Sequence, residues 1–333
     1  MSNKTQTKML EGKRAIDVFA VGTLNVDIIA IGQAPHDIEK LNNWVAVSQI
    51  GITPAGSIGY PATDLARLGL KVAMYSYVAS DPLGEYILNS LKEQSVDTGA
   101  VAAEKNTASG IGIYMLLFGS RKRPLTGRLA THSPWPKTLS RAAEKKLKNA
   151  QLLHCGGYLH YPDRWGRPTE LLYRKAKQYG LVTSIDPQFP LSEIERPWLK
   201  HFGNLLKYVD IIFTDETEAQ ALTGETKLAN AAQRLLEEGP ELVVVKQGNK
   251  GALLQTKTET IHQPAFSVRQ IMDSIGAGDA FDAGVIFGIL KGYNLKDTAR
   301  FASAVAAMTL KGMGGTSTAP TLAQVKAYLK KTR

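Results

Sequence analysis

Nine consecutive residues, Asp273-Ser274-Ile275-Gly276-Ala277-Gly278-Asp279-Ala280-Phe281, hold the densest chemical signal in the chain, and they run straight into the apolar helical stretch Ala283 to Leu290. Glycines at a helix entrance let backbone N–H groups approach an anion closely, and the aligned peptide dipoles add roughly half a positive charge there. A phosphate fits such an end. Asp279 would then stand in the first helical turn beside that phosphate, where a base that takes the proton of an attacking hydroxyl has to be. The same letters also describe an ordinary turn followed by a first-turn acid favoured by the dipole, so this segment alone leaves both readings open.

Other routes to chemistry are missing. No GxxxxGK[ST] loop occurs, and Val21-Gly22-Thr23-Leu24-Asn25, after the first strand, offers a single glycine where a dinucleotide fingerprint needs several. An NAD-dependent oxidoreductase is therefore a poor reading. The single cysteine, Cys155, makes no internal disulfide and has no zinc-ligand spacing around it. Forty Lys and Arg against thirty Asp and Glu give a net charge of +10, which would attract nucleic acid, an anionic surface or a phosphorylated small molecule without choosing among them.

The elements that must position these residues are legible. Of the 333 residues 44% are apolar and 21% charged, the balance of a globular chain with a large core. No uncharged apolar run reaches the roughly 18 residues of a membrane span. The start, MSNKTQTKMLEGKRAID, has basic residues but no apolar core, so neither a secretory signal nor a transit helix is evident and a cytoplasmic location is expected, with residues 1–14 disordered.

β-Branched runs at Asp17–Val21, Val72–Val78, Gln151–Cys155, Leu181–Ile185, Val209–Phe213 and Leu242–Val245 alternate with helical patterns. The helical patterns cover Pro61–Leu68, Pro82–Gln94, Ser140–Asn149, 164–180, 191–207, 215–223 and 227–238. That alternation predicts an α/β/α three-layer fold around a mainly parallel central sheet. Ile28–Ile31, Trp44–Ile50 and Ile111–Phe118 have no helix between them and suggest a small second sheet, a lid built from segments near 25–52 and 108–131. Residues 119–136, with Arg121, Lys122, Arg123 and Arg128 among Gly and Pro, have loop composition. No repeat or long linker cuts the chain, so residues 15–333 are expected to be one domain.

The nine-residue segment resembles the signature D-T-x-G-A-G-D-x-F of the ribokinase-like (PfkB) carbohydrate kinases, with Ser274 in the Thr position. The resemblance extends along nearly the whole chain. Gly22-Thr23-Leu24-Asn25-Val26-Asp27 looks like the family's first strand and substrate-binding Asp, and Ala55-Gly56-Ser57-Ile58-Gly59-Tyr60-Pro61-Ala62 with Leu65-Ala66-Arg67-Leu68-Gly69 looks like its N-terminal signature. Ile185-Asp186-Pro187 resembles the DPN strand end, Asp215-Glu216-Thr217-Glu218 the NxxE region, and Val245-Lys246-Gln247-Gly248-Asn249-Lys250-Gly251 the nucleotide-side KxGxxG turn.

The resemblance implies transfer of the ATP γ-phosphoryl group to a hydroxymethyl group, with Gly276, Ala277 and Gly278 as anion hole and Asp279 as base. It implies Asn25, Asp27, Gly56, Ser57 and Tyr60 on the acceptor side, and Lys246, Gly248, Gly251, Asp273 and Ser274 on the nucleotide side. Glu218 and Asp215 would act near Mg²⁺ and its waters, without a dedicated protein cage; ATP and Mg²⁺ are the implied cofactors, and a monovalent cation is allowed. Besides Ser274, three positions depart from the pattern: Asp215 and Tyr60 stand where the family has Asn, and Ala55 where it commonly has Gly. Tyr60 either stacks on a ring and offers one hydroxyl or packs under the lid.

The acceptor is expected to be a monosaccharide or sugar acid, with a nucleoside as runner-up because Tyr60, Trp44 and Tyr114 could stack on a base. Neither nucleic acid nor a membrane is expected as partner. A homodimer paired through the lid is expected from its open strand edges. A rival is a catalytically silent relative that binds a nucleotide or a macromolecule, for which the +10 charge and the basic loop 121–128 would speak and against which the intact Asp279 and its anion hole argue.

Overall fold

Val18 and Ala20 of β1 (Ile16–Val21) belong to one buried apolar cluster, and Phe19 and Val21 to another. Leu242 and Val244 against Val243 and Val245 divide in the same way on β11 (Leu242–Lys246). Successive strand side chains point to opposite faces, so both faces of this sheet are covered, as the near-continuous apolar runs require. The computed structural model describes residues 14–33, 46–117, 125–129 and 133–332.

The main sheet has nine strands. In spatial order they are β13 (Thr260–Gln263), β12 (Ala252–Gln255), β11, β10 (Ile211–Asp215), β9 (Val182–Asp186), β8 (Ala150–Gly156), β1, β4 (Val72–Ala79) and β5 (Asp97–Glu104). From β5 to β11 every pair is parallel, and β12 and β13 add an antiparallel edge. One face is covered by α1 (Gly59–Arg67), α2 (Pro82–Glu93), α7 (Ala277–Leu290), α8 (Leu295–Thr309) and α9 (Leu322–Lys331). The other carries α3 (Arg141–Lys148), α4 (Arg167–Gln178), α5 (Glu216–Thr223) and α6 (Leu228–Glu237). The expected three layers and mainly parallel sheet are present.

A separate four-stranded sheet has the order β3 (Val47–Ala55), β2 (Asn25–Gly32), β6 (Gly110–Leu116), β7 (Leu125–Leu129). It is the expected small second sheet. Within 119–136, whose composition reads as loop, Leu125–Leu129 is a strand paired antiparallel with β6, because pairing to an existing edge overrides local composition. Trp44 and Phe118 lie outside the described residues.

Two expectations need correction. Residues 191–207 form no α-helix; Pro190, Pro197 and Gly203 interrupt the pattern, leaving short 3₁₀ turns at Trp198–His201 and Leu205–Tyr208. Arg14, counted with a disordered start, is held: its guanidinium donates to the carbonyls of Ala150 (2.5 Å) and Tyr179 (2.7 Å). Residues 1–13 lie outside the described residues. Among the described residues no helix is long and apolar enough to cross a membrane.

Candidate active site

Every strand from β1 to β11 in the parallel part of the sheet brings its C-terminal end to one edge, where open α/β sheets hold ligands. Asp186 ends β9, Asp215 ends β10 and Lys246 ends β11, with Asp215 and Lys246 directly paired. The start of α7 faces this edge.

Gly276 is the residue before the first turn of α7 and has φ of 75°, the left-handed conformation that suits glycine. A Cβ there would also lie 3.0 Å from the Cα of Gly315 and 3.3 Å from Tyr60 Cδ1. No side chain caps this helix end, unlike α2, α3 and α5, whose ends are capped by Asp81, Ser140 and Asp215. The N–H groups of its first turn are thus arranged for an anion. Gly278 is exposed and Asp279 half-buried beside it.

On one side of this helix end lies a cavity of about 750 Å³. Lys246, Gly248, Gly251, Ser274, Ala277 and Gly278 line it, six of the residues expected at the nucleotide or its phosphates. Its remaining wall is largely apolar, with Phe266, Val268, Ile271, Ala306, Ala307 and Leu310, a slot suited to a flat base. Sequence reasoning missed these, since the apolar residues on 265–271 and along and just after α8 carry no motif. Asp273 is not among the lining residues. Its two oxygens accept from the N–H groups of Ile275 (2.9 Å) and Gly314 (3.0 Å), so it braces the loop before α7 and does not touch the cavity.

On the other side Asp27 is buried at 1% exposure and accepts from Asn25 Nδ2 and from the Tyr60 hydroxyl, each at 2.7 Å. Burial first, and then the Asp27 carboxylate, hold the Tyr60 phenol well above its ordinary pKa, so Tyr60 is a fixed donor. Gly56, with φ of 102°, lets the backbone pass where a Cβ would meet the Thr23 carbonyl at 2.3 Å. Ser57, expected at the acceptor, instead clasps the strand ends: its Oγ accepts from the Thr23 N–H (3.0 Å) and donates to the Gly156 carbonyl (2.9 Å). The residues of the acceptor group and the anion hole come together; Ser57 and Asp273 support them from behind.

Asp215 and Glu218 form a reciprocal cap at the start of α5. Asp215 Oδ1 accepts from the Glu218 N–H at 2.7 Å, and Glu218 Oε2 accepts from the Asp215 N–H at 2.8 Å. The expected metal-side pair is thus also the helix start that its spacing allowed. Burial, then Asp186 and Asp215, push Glu218 up to about 8. Beside it Lys246 Nζ donates to Asp186 Oδ2 and Asp282 Oδ2, both at 2.9 Å. Burial opposes the Lys246 charge, yet these two carboxylates raise its pKa well above the usual value. Lys246 outweighs burial at Asp186 and keeps it below the usual carboxylate range, whereas burial and Asp186 raise Asp282. Within this cluster Lys246 favours the ionised form of Asp186 over that of Asp282.

The sequence matches the profile of the pfkB family carbohydrate kinases over residues 15–322. The chain belongs to that family. As a carbohydrate kinase of the pfkB family it is a phosphotransferase with an alcohol group as acceptor. It is 26% identical over 331 residues to an ATP-dependent 6-phosphofructokinase of Thermoanaerobacterium thermosaccharolyticum, covering 98% of each chain. To a 2-dehydro-3-deoxygluconokinase of Bacillus subtilis it is 27% identical over 288 residues, 84% of this chain and 87% of that one. A putative ribokinase II of E. coli, solved with ATP and Mg²⁺, has the same fold at a TM-score of 0.77 and 23% identity, covering 95% of this kinase and 99% of that chain.

Proposed function

We propose that this pfkB-family kinase transfers the γ-phosphoryl group of ATP to a hydroxymethyl group of a monosaccharide or sugar acid. The observation that carries the reading is the uncapped start of α7 between two dissimilar halves of the site: the cavity lined by Lys246, Ala277 and Gly278, and the buried Asp27–Tyr60 pair. ATP lies in the cavity with its base against Phe266, Ile271 and Leu310 and its phosphates toward Gly278. The first-turn N–H groups stabilise charge on the transferring group without reorganising. Asp279 takes the proton of the acceptor hydroxyl as the new O–P bond forms and the bond to the β-phosphate oxygen breaks, so ADP departs with that electron pair.

The donor set fits Mg²⁺. Glu218 and Asp215 are hard oxygen donors, each engaged by one backbone N–H through one oxygen. Among the described residues no cluster of three or more His, Cys, Asp or Glu side chains could hold a metal, so the two acids would hold the ion with help from water and phosphate. When bound, Mg²⁺ supplies charge neutralisation at the phosphates.

For the acceptor, Asp27 suits paired hydroxyls. The relatives' names include kinases of a sugar phosphate and of a sugar acid. A nucleoside is the alternative acceptor; Tyr60 (4% exposed) and Tyr114 (7%) are buried and Tyr60 donates to Asp27, whereas Trp44, the third aromatic of that reading, lies outside the described residues. We also propose that two copies pair through the lid: Ile50, Ile52 and Ile113 are large apolar residues exposed on β3 and β6. The test of the activity is ATP consumption with Mg²⁺ over D-ribose, D-fructose, D-fructose 6-phosphate, 2-dehydro-3-deoxygluconate and adenosine. Turnover with a sugar or sugar acid is expected. ATP binding with no turnover on any of them would favour the silent relative.

A further inference from the structure

Gln188 follows Asp186-Pro187 at the end of β9 with a backbone φ of 56°, a left-handed conformation that a non-glycine residue keeps only when its surroundings impose it. Its N–H donates to Asp186 Oδ1 at 3.1 Å, which fixes the turn. The other end of the side chain reaches the site: Nε2 donates to Asp279 Oδ1 at 3.2 Å. From Asp186 the path continues through Lys246 to Asp282, one helical turn beyond Asp279 on α7. The contacts Asp279–Gln188–Asp186–Lys246–Asp282 therefore begin and end on one helix and close into a loop that ties the start of α7 to the ends of β9 and β11.

We infer that Gln188 is a positioning residue for Asp279. The inference rests on the reading of Asp279 as the base. An amide donor on one carboxylate oxygen fixes the rotation of the group about its last bond, and it favours the ionised form that accepts a proton. The held left-handed turn is what aims that donor. Among the described residues, the ionisable groups around Asp279 include Tyr60 and Asp64 of α1, with Asp186 and Lys246 behind Gln188 and Asp282 on α7 itself.

The experiment compares wild type, Gln188→Gly, Gln188→Glu and Asp279→Asn, using whichever sugar or sugar acid of the panel above wild type turns over fastest. Glycine accepts the left-handed backbone, so Gln188→Gly removes the amide without adding strain and should melt no lower than wild type. Its kcat should fall about 10–100-fold with the ATP KM unchanged. The acid limb of its pH profile should move up, because Asp279 loses a donor to its charged form. Gln188→Glu sets a second carboxylate against Asp279 and should move that limb further in the same direction. A merely structural Gln188 would alter the melting temperature and leave the limb in place. Wild-type kcat and pH profile in Gln188→Gly, alongside a crippled Asp279→Asn, would overturn the inference and leave the base assignment standing. Full activity in Asp279→Asn would overturn both.

Discussion

The Tyr60 hydroxyl donates to Asp27 Oδ2 at 2.7 Å inside the protein, so a residue of the N-terminal signature and the acid at the start of the lid are one unit. Removing the hydroxyl leaves a buried carboxylate short of a donor, which costs about 1–3 kcal/mol. Tyr60→Phe should lower stability by that amount. In Tyr60→Phe combined with Asp27→Asn the loss should be less than the sum of the two single effects. Denaturant unfolding of the four proteins measures the coupling; additive losses would mean that the contact contributes nothing.

Asp64 lies on α1, 1% exposed, with neither carboxylate oxygen hydrogen-bonded among the described residues. Burial first, and then the nearby Asp279, raise its pKa well above the ordinary value of 3.8. A carboxyl whose folded pKa is raised favours folding in its protonated form, so stability is lost as pH rises above the unfolded value. Asp64→Asn cannot ionise. It should melt higher than wild type at pH 8, with the difference shrinking toward pH 4; a constant offset across that range would mean that Asp64 does not titrate.

Glu218 titrates near pH 8 for the reasons of burial and like charge given above. Below that pH its carboxyl is mainly neutral and a poor partner for a cation, so wild type should need less Mg²⁺ at pH 8.5 than at pH 6.5. Glu218→Gln should raise the Mg²⁺ requirement more than the acceptor KM and flatten this pH dependence. Mg²⁺ titrations of both proteins at the two pH values check it, and identical curves would remove Glu218 from the metal.

The lid proposal predicts that Ile50→Glu with Ile52→Glu abolishes self-association. Both residues are more than half exposed on β3, so charge there should leave folding of the single chain intact. Sedimentation velocity of wild type and variant decides: a monomeric wild type, or a variant that still pairs, contradicts the assignment.

The parallel sheet was legible because strands buried on both faces read as apolar β-branched runs, as in Leu242–Val245, and because capped helices such as Pro82–Glu93 announce their starts. The edge strand β5 was missed: Asp97–Glu104 is half-exposed and rich in small residues, with little apolar patterning. β7 was hidden by basic residues, since its pairing comes from the lid edge and not from its own composition. Within the site, the glycines and Asp279 carry their chemistry in local spacing. Asp273 and Ser57 share those motifs but spend their polar atoms on backbone groups, a distinction that depends on side-chain direction. Gln188, in the Asn place of the DPN strand end, and Asp282, just past the nine-residue signature, carry no chemistry legible from their spacing, and only the convergence of β9, β11 and α7 brings them into the site.

The most direct test is kcat together with thermal stability for wild type and Asp279→Asn, with the best acceptor of the panel. Asparagine keeps the size and first-turn position of the side chain but takes no proton at neutral pH. The account predicts an intact fold, near-normal ATP binding and a kcat lower by about 10²–10⁴-fold, or roughly 3–5 kcal/mol of barrier. An Asp279→Asn protein that folds normally and keeps the wild-type kcat would contradict it.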